Sequence, residues 1–294
     1  MTTEQNSHGN YFSLIVPTFG RKSEVKRLLD SLVLQTHKNF EVLIIDQNDD
    51  DLMSGILKTY SATLKIVHQK SRKGASKARN LGIRIAKGDV IAFPDDDCWY
   101  PQDLLKNVSS FFDKNPQWDG LSTMIRDEKG TESVLRFHKK AGLVTRDTTW
   151  NRASAVTLFM KRFVVNKTGS FNENIGPGCG KLIMAGEDMD YILRIMDKGF
   201  NIHFDPNFHV CHPQIKDSDE KKNEKKIYQY AVAGGFMMRV HKFGLLALAA
   251  VLVKNAGSVA LSIIRGNFYK AKCTSLSIAG KLKGYFDPAY RRGF

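Results

Sequence analysis

Apolar positions follow two alternating rhythms over the first two thirds of the chain. Short, nearly unbroken apolar runs at 11–17, 41–46 and 90–93 have the length and composition of strands buried on both faces, and a further strand is expected at 64–68. Between these runs the spacing changes to threes and fours. Val25, Leu28, Leu29, Leu32 and Val33 repeat at i, i+3, i+4, i+7 and i+8, which predicts a helix from Ser23 to about Gln35 with one buried face. Helices are expected also at 52–61, at 76–86 and from Pro101 to about Lys114. Strands alternating with amphipathic helices imply right-handed β-α-β units, so the expected fold class is α/β with a mostly parallel sheet. Residues 118–165 are mixed, with one strand expected at 154–160. A glycine-rich loop at 171–180, a helix opened by Gly186-Glu187-Asp188 and closed by Gly199, and a last strand at 204–213 follow.

The pattern changes after residue 214. Residues 215–226 read as a charged connector, and 227–294 carry no strand signal and read as helices. Apolar runs at 243–253 and 256–264 are interrupted by Lys254-Asn255, and neither reaches the ~20 residues of a bilayer span. The expected organisation is a flexible tail at 1–10, one domain over 11–214, the connector at 215–226 and a helical segment at 227–294. With 42% apolar and 25% charged residues in 294, the chain can bury a sizeable core, which excludes general disorder. The net charge of +14 is uneven: residues 226–294 hold eleven Lys/Arg against one acid, Asp287. A basic, apolar-rich tail suits an anionic membrane surface, at roughly 1 kcal/mol per Lys/Arg. The alternative is helices packed on the main domain with solvated charges. No aromatic–basic or zinc-finger spacing supports a nucleic-acid partner. The four cysteines are far apart with no CxxC pair, which suits reduced thiols in a cytoplasm, and the polar N-terminus lacks a signal-peptide pattern.

The strand at 90–93 runs into three adjacent carboxylates, Asp95-Asp96-Asp97, and then into Trp99-Tyr100-Pro101. Three like charges repel, and burying one unpaired costs several kcal/mol. A divalent cation removes that penalty, since hard cations prefer carboxylate oxygens; a solvated acidic turn is the alternative. Asp46 also ends a strand, and parallel sheets bind ligands off the carboxyl ends of their strands, so one cleft is expected to hold both groups. A basic loop, Ser71-Arg72-Lys73-Gly74-Ala75, opens the helix that carries Arg79 and Asn80. His209, Cys211 and His212 fall short of a zinc site, which needs three or four ligands in closed geometry.

Five pieces occur in one order: Ser13-Leu14-Ile15-Val16-Pro17-Thr18, Asp46 after the second strand, Gly74 with Ala78-Arg79-Asn80, the Asp95–Asp97 triplet with Trp99 and Pro101, and Gly186-Glu187-Asp188 at a helix start. Together they resemble the family 2 glycosyltransferases of the GT-A fold, of the bacterial polysaccharide and lipid-linked glycan assembly type, over roughly residues 11–213. The resemblance implies a Rossmann-like sheet. It implies metal-dependent, inverting transfer of a sugar from a nucleotide-diphosphate sugar, UDP- or dTDP-type, to a glycan or lipid-linked acceptor. The leaving diphosphate gains charge in the transition state, which Mn²⁺ or Mg²⁺ would stabilise.

By the same resemblance Asp95 and Asp97 contact the metal and Asp96 faces elsewhere or the ribose. His212 approaches the metal or diphosphate. Pro17, Thr18, Asp46, Arg79, Asp95 and Asp96 lie on the donor side, with Arg21 on the same rim. Asp188 is the general base, and Glu187 and Gly178 lie on the acceptor side. Adjacent on a helix, Glu187 and Asp188 diverge by about 100°, so one of them faces the cleft; complementing the helix dipole is the alternative role for both. Two departures matter. Pro94 stands where many relatives have an acid, which shifts the alignment of single acids by one position. Gln47-Asn48-Asp49 replaces an acid, Gly and Ser, which leaves the base preference open. The location implied is cytoplasmic, peripheral on the inner face of the plasma membrane. The competing reading is a non-catalytic nucleotide-sugar-binding scaffold subunit, and carrying both Asp188 and the triplet favours the enzyme.

Overall fold

The computed structural model describes residues 9–133, 137–214 and 220–291. Residues 1–8 of the expected tail and 215–219 of the expected connector lie outside them. The chain divides into two compact units, one built from residues up to 171 together with 191–215, the other from 172–190 together with 216–294.

In the first unit, β1 (Phe12–Thr18), α1 (Ser23–Val33), β2 (Phe40–Asp46), α2 (Ser54–Tyr60), β3 (Ile66–Lys70), α3 (Ala75–Ile85), β4 (Val90–Ala92) and α4 (Leu104–Lys114) alternate as the periodicity predicts. Then come β5 (Gly120–Arg126), β6 (Gly142–Leu143), β7 (Leu158–Lys161), α5 (Arg162–Thr168), α6 (Glu187–Asp197), which starts in the second unit, and β8 (Ile202–Cys211). The eight strands form one sheet in the order β3-β2-β1-β4-β7-β5-β8-β6. β1 pairs in parallel with β2 and β4, β2 with β3, and β5 with β8; β7 runs antiparallel between β4 and β5, and β6 antiparallel to β8.

β1, β2 and β4 are buried at every position, which is why their sequences are apolar runs without alternation. Two polar residues inside them are satisfied locally. Ser13 Oγ donates to Glu41 at 2.6 Å, and Glu41 accepts also from the Lys87 N–H at 2.7 Å. That corner admits no side chain at Gly88, where a Cβ would lie 2.3 Å from the Ser13 nitrogen. β5 hides its strand signal behind Ser122 and Thr123, both fully buried. Ser122 Oγ donates to the Arg152 carbonyl at 2.6 Å and lies 2.9 Å from Thr157 Oγ1, so its polarity is an internal tie.

The second unit contains α7 (Glu220–Val240), α8 (Leu245–Ile264) and α9 (Phe268–Phe286). From Glu220 the expected connector is already helix, forming the first two turns of α7. α7 and α9 pack backbone to backbone through small residues: a Cβ on Gly235 would lie 2.0 Å from the Lys281 carbonyl oxygen, and the corresponding atom on Gly280 would lie 2.8 Å from that of Tyr228. The expected break at Lys254-Asn255 is absent, and α8 runs unbroken through it for 20 residues. Hydropathy fell there, but lysine is a good helix former and a single asparagine costs a helix little, so the backbone continues. By length and composition α8 is long and apolar enough to cross a membrane.

Candidate functional site

The parallel register sets the site. Thr18 at the end of β1 lies opposite Asp46 at the end of β2, and Asp46 lies opposite Lys70 at the end of β3. β4 stops at Ala92, and the acids follow in a turn closed by the Cys98 N–H donating to the Asp95 carbonyl at 3.2 Å. The turn brings each of the three carboxylates to an arginine. Asp95 receives Arg79 at 3.2 Å. Asp96 is buried and receives Arg21 at 2.7 Å, and the same guanidinium reaches Asp97 at 2.5 Å. A two-way exchange of backbone hydrogen bonds between Trp99 and Cys211, at 3.0 and 2.9 Å, brings the end of β8 beside the triplet. His212 thereby meets Asp97, with Nε2 3.1 Å from Oδ1. Arg27 supports the turn, donating to the Asp97 carbonyl at 2.7 Å and lying over the Trp99 ring at 4.1 Å.

The electrostatics of neighbouring acids differ. Burial pushes the Asp96 carboxyl above its ordinary value despite Arg21. Burial acts on Asp97 in the same sense, but His212 and Arg21 outweigh it and hold that carboxyl low. His212 moves up, since Asp97 outweighs the cost of burying the imidazolium.

Among the described residues, one group of three side chains converges as metal ligands do: Asp95, Asp97 and His212, whose ligand atoms lie within 4.8 Å of one another. Asp97 Oδ1 is buried without a hydrogen bond of good geometry. His212 Nδ1 lies 2.7 Å from the Pro213 carbonyl, a contact that places a proton on Nδ1 and leaves Nε2 to face the acids. Two carboxylates and one imidazole suit a divalent cation such as Mn²⁺ or Mg²⁺. The residues present therefore fit the group. His209, on β8 itself, is no part of this cluster.

Asp46 is fully buried and saturated with donors. Oδ1 accepts from the Asn48 N–H at 2.9 Å and from its side-chain amide at 2.7 Å; Oδ2 faces His68 at 3.0 Å and Lys70 at 2.9 Å. Burial pushes this carboxyl up, but Asn48, Lys70 and His68 together hold it below the usual range. Gln47, one of the departures from the family pattern, links elements: its side-chain carbonyl accepts the N–H of Gly74 at 2.8 Å, where the basic loop enters α3. Asn48 ties the other side, accepting the Gly20 N–H at 2.7 Å. On α3, the Asn80 amide clamps the Phe171 backbone at 2.9 and 2.7 Å. Thr18 is buried beside these groups, and Pro17 precedes it in β1.

Glu187, Asp188 and Gly178 belong to the second unit. Glu187 is buried, and a Cβ on Gly176 would lie 2.8 Å from its carboxyl carbon, so this side chain packs beneath the glycine loop. Asp188 is half-buried in the first turn of α6, and Gly178 is exposed with φ +74°. Asp190, one turn into the helix, is buried and meets His241 of the α7 C-terminal end at 3.1 Å.

Sequence reasoning missed four contributors. Arg27 looks like a surface charge on α1. His68 and Lys70 share one face of β3, two residues apart, and that spacing was the available signal. His241 gave none, because its partner is 51 residues away.

The sheet order and the acid turn at its carboxyl edge define a GT-A-type α/β domain. The model of Glycosyl transferase family 2 matches residues 13–170, just over half of the chain, and the chain belongs to that family. It is 24% identical over 247 residues to glycosyltransferase AglE of Haloferax volcanii, covering 81% of this chain and 79% of that protein. It is 39% identical over 105 residues to an uncharacterised glycosyltransferase of Haemophilus influenzae, a stretch that spans 35% of each chain. Among solved structures, the mannosyltransferase PcManGT of Pyrobaculum calidifontis in complex with GDP-Man and Mn²⁺ superposes with a TM-score of 0.63 at 17% identity, covering 96% of this chain and 88% of that one. S. aureus TarS 1–349 in complex with UDP-GlcNAc superposes with a TM-score of 0.60 at 16% identity, covering 93% and 91%.

Proposed function

We propose that this protein is an inverting, metal-dependent glycosyltransferase that moves a sugar from a nucleotide-diphosphate sugar to a hydroxyl of a glycan or lipid-linked acceptor. The observation that carries the reading is the convergence of Asp95, Asp97 and His212 off the carboxyl end of β4, in the unit that also holds buried Asp46 and Arg79 at the same sheet edge. PcManGT with GDP-Man and Mn²⁺, and TarS with UDP-GlcNAc and with UDP, support a nucleotide-sugar donor and a divalent cation. In this reading Asp95, Asp97 and His212 hold Mn²⁺ or Mg²⁺, which when bound neutralises charge growing on the leaving diphosphate. Asp46, with Thr18 and Pro17 beside it, forms the base or ribose side of a UDP- or dTDP-type donor site, where its buried carboxylate holds Asn48, His68 and Lys70 in place. Arg79 and Asp96 steady the same side. Arg21, released from Asp96 and Asp97, is free to take phosphate charge.

Asp188 removes the proton of the acceptor hydroxyl as its oxygen bonds to the anomeric carbon. The bond from that carbon to the diphosphate oxygen breaks in the same displacement, so the nucleoside diphosphate leaves and the configuration inverts. Glu187 and Gly178 act on the acceptor side, Glu187 by holding the glycine loop. In the same reading the enzyme sits peripherally on the cytoplasmic face of a plasma membrane with anionic lipid as its partner, a location that the positive charge of residues 226–294 supports.

The test is a panel of nucleotide sugars with Mn²⁺ or Mg²⁺, measuring nucleoside diphosphate release with and without lipid-linked acceptors. Asp188→Asn is expected to lower transfer by roughly 10²–10⁴-fold while sparing donor affinity. Normal transfer by that variant overturns the base assignment, and donor binding without release under every condition returns the scaffold reading.

A further inference from the structure

α8 is built inside out for a helix in water. Its covered side, which packs along α9, carries Leu248, Val251 and Leu252, but also its polar neutral residues Asn255, Ser258 and Ser262. Of its two fully buried residues, one is Ser262. The open side carries Leu246, Val253, Leu261, Ile263 and Ile264, with alanines between them and Lys254 as its single charge. Leu246 is 88% exposed, Val253 72% and Ile264 81%. A helix facing water shows the opposite arrangement, and an apolar strip of this length marks a surface that meets another phase or molecule.

The charge around the strip says which. Residues 225–286 contain ten Lys/Arg and no Asp or Glu. A second copy of the chain on this strip would bring two such sets of cations together, which repel. An anionic lipid surface satisfies both the cations and the apolar strip. The chain also sets the depth. α8 leads through Arg265-Gly266-Asn267 into α9, which packs against α8 and carries Lys270, Lys272, Lys281 and Lys283. A membrane-crossing α8 would carry α9 with it and bring its lysines into or against the hydrocarbon, whereas a helix lying in the interface leaves the exposed Lys270, Lys272 and Lys283 at the headgroups; Lys281 is half-buried in the protein, its ammonium 2.6 Å from Ser277 Oγ. Lys254 reaches the same headgroups along its own stem.

We propose that α8 lies in the plane of an anionic phospholipid leaflet, inserting Leu246, Val253, Leu261, Ile263 and Ile264 among the acyl chains, and that it is the membrane anchor of this protein. This deepens the membrane reading given above for the basic unit and is independent of the catalytic one.

The test uses the full chain and vesicles of phosphatidylcholine with or without phosphatidylglycerol, sedimented at low and high salt. Binding is expected to need the anionic lipid and to survive high salt in part. The triple variant Leu246→Glu/Val253→Glu/Ile264→Glu is expected to bind at least about tenfold more weakly, with its circular dichroism and nucleotide binding unchanged. Val253→Trp guards against a folding defect: its emission is expected to shift to the blue on anionic vesicles and to be quenched by lipids brominated in their acyl chains. Complete release by salt, with the triple variant binding as the wild type does, overturns insertion and leaves a charge-only membrane contact. No binding at low salt overturns both, while nucleoside diphosphate release still reports on the catalytic reading. A dimer abolished by the triple variant, without vesicle binding, assigns the strip to a second copy and overturns the proposal.

Discussion

Two regions of this molecule depart from the rule that charge faces water and apolar groups face inward, and they do so in opposite senses. At the carboxyl edge of the sheet, charge is inside: Asp46, Arg79 and Asp96 are all buried. Along α8, apolar groups are outside. In the first region these three charges are matched by partners from the same chain, with Asn48, His68 and Lys70 around Asp46, Asp95 on Arg79 and Arg21 on Asp96. Along α8 no described residue of the second unit covers the open side. An internally matched departure costs stability when a partner is removed; an unmatched one costs little in the free protein and matters only when the outside partner arrives.

That contrast can be broken or sharpened by mutation. The largest stability effect is expected where both partners are buried. His241→Ala removes the imidazole that meets Asp190 and leaves a space in the interior of the second unit, and a loss of about 3 kcal/mol is expected from the lost hydrogen bond and packing. Urea unfolding followed by circular dichroism, which reads the long helices, measures it. Asp46→Ala comes next, at about 2 kcal/mol, because Lys70 and His68 reach solvent and can rehydrate once their partner is gone. Trp99, Trp118 and Trp150 all lie in the first unit, so tryptophan emission reads that loss.

A smaller effect is expected from acid. The Asp46 carboxyl is held below its unfolded value, so its contribution is fully present above about pH 4 and disappears as pH falls through the lower, folded value. The urea midpoint of the first unit is expected to fall over that interval, and Asp46→Asn is expected to flatten this part of the profile. A parallel fall in both proteins would assign the acid sensitivity elsewhere. The smallest effect is on the open strip: Val253→Ser is expected to change stability by less than about 0.5 kcal/mol in the absence of lipid. A loss of 2 kcal/mol or more there would mean that the strip is covered within the chain.

The parallel half of the sheet was legible because its strands are buried on both faces and its helices on one, and such burial leaves a periodic trace in sequence. β5 was not legible, since Ser122 and Thr123 look like loop residues until Arg152 and Thr157 are seen to satisfy Ser122. The acids and His212 were visible as residue types at strand ends. Their grouping was not, because it depends on the Trp99–Cys211 bridge across 112 positions of chain. α8 was read as two pieces because hydropathy averages over side chains and ignores that Lys254 and Asn255 keep helical backbone.

By itself the sequence determined the alternation of strands and helices, the α/β class, the acids at two strand ends and the excess of positive charge after residue 225. These follow from local spacing and composition, which no distant contact alters. The tertiary structure alone decided which side chains share a site, which carboxylates are pushed up or held down, and which side of α8 is left open. Each of those depends on groups far apart in sequence coming within hydrogen-bond distance or excluding water together, and that information exists only once the chain has folded.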